Sequence, residues 1–98
     1  MIGDDIMDAY LNTIRRWRQT DKDGVYPVPT TIDKVATVLA ISLGLGSLFD
    51  EDAAAEGQWM MAPRERWGGR CAADLIKSGD SSELHKVLFA VEEERGVL

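Results

Sequence analysis

The sequence predicts an all-α fold, a compact bundle of four to five helices. Three observations carry that reading. Apolar residues recur at i, i+3 and i+4 over several long segments, capping residues with glycines and prolines punctuate the gaps, and no stretch alternates apolar with polar side chains as a half-buried strand would. Ninety-eight residues make a single domain, 1–98, able to enclose one modest core.

The first helix is expected over residues 4–19, with Ile6, Met7, Tyr10, Leu11, Ile14 and Trp17 along one side. Asp4, Asp5 and Asp8 fall in its first turns and Arg15, Arg16 and Arg18 in its last, which matches the helix dipole. Gly24, Pro27 and Pro29 then forbid a regular helix over residues 20–29. Thr30 and Asp33 have capping-box spacing, with Asp where Glu is usual, and open a long apolar helix. That helix carries Ile32, Val35, Ala36, Val38, Leu39 and Leu43, and apolar residues on nearly every side imply burial against several neighbours. Gly44 and Gly46 are expected to end or kink it.

Asp50 is placed as the cap of a third helix over 51–61, which Pro63 closes. Gly68 and Gly69 mark a turn. A short helix follows over 72–77 and is stopped by Ser78, Gly79 and Asp80. Ser81 or Ser82 caps the last helix, whose core face is Leu84, Val87, Leu88 and Val91. Glu92, Glu93 and Glu94 put three negative charges where the dipole disfavours them, so this end either frays or is held by a basic group.

Composition narrows the function classes. Eleven Lys and Arg against 17 Asp and Glu give a net charge of −6, which disfavours a broad electrostatic grip on nucleic acid or an anionic membrane. Cys71 is the only cysteine, so neither a disulfide nor a Cys-based zinc site can form within the chain. The N-terminus lacks a signal-peptide pattern and residues 35–49 are too short and polar to span a bilayer, so the expected location is the cytoplasm.

No catalytic set emerges, and no cofactor or metal is expected. Gly44 and Gly46, like Gly68 and Gly69, lack the spacing of a phosphate loop. The run from Asp21 to Gly24 puts its glycine at position 4 of a calcium loop instead of position 6. His85 is the only histidine, and Cys71 has Arg70 as its sole basic neighbour in sequence, so both read as ordinary helix residues. An enzyme is therefore not expected. Two features stand out as candidate contact sites. Arg15, Arg16 and Arg18 could meet phosphates on DNA, although an exposed, dipole-matched face explains them more simply. Trp59 reads as core, whereas Trp67, beside the Gly68 turn, reads as a contact residue.

The second half carries a more specific pattern. Trp59 and Met60 form a pair, Pro63 stands four residues after Trp59, and Gly69 and Arg70 make a turn. Ala72, Ala73, Asp74 and Leu75 open a helix, and Gly79 precedes a last helix with Val87 and Leu88. Over residues 49–98 this resembles the toxin-binding domain of the Xre/MbcA/ParS antitoxins, with Trp59, Pro63, Gly69, Asp74, Leu75 and Gly79 as its structural signature. Ala72 stands where the family has proline, which removes a preset φ but keeps the helix start.

Family members carry a helix-turn-helix before this domain. The resemblance makes residues 1–48 a truncated remnant of that unit plus a connecting helix, too short to support sequence-specific DNA reading. What it implies is neutralisation of a cognate RES-domain toxin that consumes NAD, in a hetero-oligomer with that toxin. The C-terminal end, Glu94, Arg95, Gly96, Val97 and Leu98, is implied to lie at the mouth of the toxin's NAD pocket. Trp67 and Arg70 complete the candidate partner-binding set. Acidic groups there could stand in for the anionic dinucleotide. A homodimer is the alternative assembly, and a DNA-binding regulator or an inhibitor of an unrelated enzyme the alternative function.

Overall fold

A computed structural model describes residues 4–96 as five α-helices and one 3-10 turn. They are α1 (Asp4–Trp17), α2 (Ile32–Leu48), α3 (Ala53–Met61), the 3-10 turn Glu65–Trp67, α4 (Ala72–Lys77) and α5 (Ser81–Arg95). No strand occurs among the described residues. The bundle's Cα radius of gyration is 12.6 Å.

α2 lies at the centre, packed against α5 on one side and α1 on another. The contact with α5 is close because Gly44 is a glycine: a Cβ there would stand 2.5 Å from Val91 Cγ1. Gly44 and Gly46 therefore sit inside α2 instead of ending it, and the helix runs on to Leu48. Its start is capped by Thr31, not Thr30, with Thr31 Oγ1 accepting the Lys34 N–H at 3.3 Å. Burial of α2 is also less complete than its composition implied. Ile32, Ala36 and Leu43 lie in solvent, with Leu43 76% exposed.

α1 buries Tyr10, Thr13 and Trp17, while Leu11, expected on the core face, is exposed. The Tyr10 hydroxyl donates to the Pro27 carbonyl at 2.9 Å and so pins the irregular segment 18–31 to the bundle. Tyr26 donates to Asp21 at 3.0 Å, and Lys77 of α4 pairs with the same carboxylate.

The passage from α2 to α3 corrects the expected cap. Asp50 and Glu51 both adopt left-handed φ (50° and 64°), which a helix start does not permit. Asp52 takes the role instead, accepting the N–H groups of Ala54 and Ala55 at 3.0 and 3.2 Å. The cap of α5 is also displaced, in the other direction. Its cap is Asp80, accepting the Ser82 N–H at 2.7 Å, with Ser81 and Ser82 already inside the helix.

α4 spans the expected residues. Asp74 accepts the Cys71 N–H at 3.1 Å, so the third residue of the helix caps its own N-terminus. Ile41, Leu45, Met60, Leu75, Val87 and Val91 fill the middle of the core. Among the described residues no single helix is long and apolar enough to cross a membrane; α2 and α3 together pass on composition but are bent by 120° at their junction.

Candidate functional site

The end of α5 and the 3-10 turn form one assembly. Arg66 Nη1 lies 2.7 Å from Glu93 Oε1, so the acidic last turns are held by a basic group, one of the two expected outcomes. Gly96 closes the helix in the left-handed region (φ 75°), its N–H donating to the Glu93 carbonyl at 3.1 Å. Glu94, Arg95 and Gly96 are exposed around that end. Val97 and Leu98 lie outside the described residues.

Trp67 is buried, with 7% of its surface exposed, so its placement as a surface contact residue is corrected. The 3-10 turn rotates the indole inward. Arg66 stacks on the ring at 5.4 Å from its centre, and Arg64 lies 5.3 Å away while also covering Trp59 at 4.5 Å. Arg64, which the sequence reading passed over, is thus wedged between the two indoles.

Arg70 is held by two partners. Its Nε donates to the Trp67 carbonyl at 3.2 Å, and Nη2 reaches Glu83 of α5 at 3.3 Å. It is part of the clasp that closes the 64–70 loop, where the Arg64 N–H donates to the Arg70 carbonyl at 3.1 Å. Gly69 and Gly79 have positive φ (84° and 71°), while Asp74 and Leu75 cap and bury α4. Pro63 stays exposed just after α3.

Arg15, Arg16 and Arg18 do not converge. Arg15 and Arg18 are exposed, but Arg16 turns inward. Its Nε stands 2.8 Å from Oε2 of Glu56, a fully buried carboxylate, and Nη2 donates to Ser42 Oγ at 2.5 Å. Thr13 donates to the same hydroxyl at 3.2 Å. Arg16 is thus half-buried and ion-paired with Glu56, and of the three arginines only Arg15 and Arg18 stand fully exposed. Desolvation pushes the Glu56 carboxyl above its ordinary range, with Arg16 pulling the other way. Glu56 gave no sign in the sequence, where it is one of 17 acidic residues in an acidic chain.

The remaining titratable candidates are structural in their surroundings. Burial raises the Cys71 thiol above its usual range, so little thiolate forms at neutral pH. Hydrogen bonds from Cys71 lower Asp74. His85 is exposed, with Nδ1 2.8 Å from the Ser81 carbonyl. Among the described residues no three His, Cys, Asp or Glu side chains gather where a metal ion could be held. Compared with known proteins, the chain matches no family model, no curated protein and no solved structure.

Proposed function

We propose that this chain is an antitoxin-type inhibitor, without catalysis of its own, that binds a RES-type NAD-consuming toxin in the cytoplasm. Its C-terminal end obstructs the toxin's active site. The observation that carries the reading is the solvent-facing end of α5. Arg66 and the Gly96 cap hold the helix ordered through Arg95, while Glu94 and Arg95 project into water. An ordered stem loses less entropy on binding than a loose tail.

The residues that carry the antitoxin resemblance support it as well. Trp59, Trp67 and Leu75 are buried together in one core and Asp74 caps the adjoining helix, so the pattern makes a physical unit that presents α5. In the complex, Glu94 meets the cations that line a dinucleotide pocket, Gly96 turns the chain off the helix axis, and Val97 and Leu98 fill an apolar hollow.

Cellular NAD tests the reading. When a RES-domain toxin is induced alone, NAD should fall; with this chain co-expressed, it should stay at the uninduced level. An equal fall in both cultures would refute the function.

A further inference from the structure

One cavity takes no part in the site described above. It holds about 120 Å³ and opens partly to solvent, between the irregular segment 18–31 and helices α2, α4 and α5. Tyr10, Tyr26 and Pro27 line one side, and Val38, Ile76 and Leu84 supply the aliphatic wall. An apolar cavity of about 150 Å³ takes up benzene, so the space suits a single ring.

The walls are held by contacts already made. Tyr10 donates its hydroxyl to the Pro27 carbonyl and Tyr26 to Asp21, so neither phenol has a proton left for a ligand. Lys77 lies 5.5 Å from the centre of the Tyr26 ring, and Trp17 stands tilted against that ring at 6.0 Å. The turn at Gly79 presses on Pro27, where an added Cβ would stand 3.4 Å from Cγ.

Lys34 is the single charged residue in the lining, half-buried in the first turn of α2. Its charge acts on Asp80, the exposed cap of α5. Among the described residues, however, it forms no ion pair. The cavity therefore combines aromatic and aliphatic walls with one unpaired ammonium group.

We propose that this cavity binds a small aromatic carboxylate, its ring between the tyrosines and the aliphatic wall and its carboxylate on Lys34. Ring against ring packs favourably in offset or edge-on geometry, and a charge-assisted hydrogen bond fixes the ligand's orientation. The inference does not rest on the toxin reading. Leu84 lies about 15 Å along α5 from Glu94, so a bound ring leaves the stem free.

Benzoate, with benzyl alcohol as the neutral ring of similar size, tests it by titration of the isotope-labelled chain in NMR. Benzoate should give saturable shifts with a dissociation constant on the order of 1 mM, as fits so small a ligand. Its ring protons should show intermolecular NOEs to the methyl groups of Val38, Ile76 and Leu84. Lys34→Gln should weaken benzoate about tenfold and leave benzyl alcohol unchanged, the loss of one charge-assisted contact. Val38→Phe, which fills the space, should abolish binding of both with unchanged far-UV circular dichroism.

Shifts that do not saturate overturn the inference, as do NOEs to any other part of the chain, whether or not Val38→Phe folds. A Lys34→Gln chain that binds benzoate as tightly as the wild type removes the carboxylate from the proposal. Equal weakening of both ligands by that substitution contradicts charge recognition as well.

Discussion

Arg16 shows how far a residue's role depends on what its side chain meets. In sequence it is one of three arginines at a helix end; in the fold it is the counter-ion of Glu56, a carboxylate with no exposed surface. Removing one partner of such a pair leaves a buried charge uncompensated. Arg16→Ala should therefore destabilise the protein by about 3 kcal/mol at neutral pH, read by urea denaturation. Glu56 also sets a pH dependence. Because its carboxyl is raised in the native state, the folded chain holds that proton more tightly than the unfolded chain does. Its contribution to stability is therefore present at low pH and is lost as pH rises through the native value. Relative to Glu56→Gln, the wild type should gain stability as pH falls from neutral towards the ordinary carboxylate value of 4.5. A difference that is flat with pH would contradict this. Trp67 makes the same point for an aromatic. Placed by its turn it belongs at a surface, but the 3-10 turn buries it beneath Arg64 and Arg66. Trp67→Ala should cost roughly 3–5 kcal/mol, the range for a core aromatic, and a loss under 1 kcal/mol would return Trp67 to the surface.

At the scale of elements, the existence and order of the helices were legible, and their ends were not. Periodicity placed α1, α2 and α5, and the glycine and proline signals placed the turns. Each misplaced cap lay within two residues of the true one: Thr31 for Thr30, Asp52 for Asp50, Asp80 for Ser81 or Ser82. All of these are good capping residues, and backbone conformation chooses among them; the left-handed φ of Asp50 and Glu51 is the clearest case. Gly44 misled for a different reason. Within a helix glycine is costly, so it reads as an ending, yet here it admits the side chain of Val91 from another element. In an ordinary helix Gly→Ala would stabilise by up to about 1 kcal/mol. At Gly44 the new methyl would meet a fully buried valine, and Gly44→Ala should instead destabilise by about 1–3 kcal/mol in thermal unfolding. A gain in melting temperature would mean that α2 and α5 are not in close contact. The partner of the acidic end was half legible: the helix dipole required a cation near Glu92, Glu93 and Glu94, but only folding brings Arg66 there from 27 residues away.

For the whole molecule, a centrally buried α2 with α1 and α5 on either side leaves the far end of α5 as an ordered stem in an acidic chain. Inhibition is assigned to that stem and to the residues beyond it, while stability resides in the core on the other side of the same helix. The two should separate experimentally. Leu84, Val87 and Val91 lie upstream of Glu94, so deletion of residues 94–98 leaves the buried face of α5 intact. The most direct measurement is the rate at which a purified RES-domain toxin consumes NAD, titrated with the full chain and with a chain ending at Glu93. The expected result is full inhibition by the intact chain and little by the shortened one, with both melting cooperatively. A shortened chain that inhibits as strongly as the intact one would contradict the account.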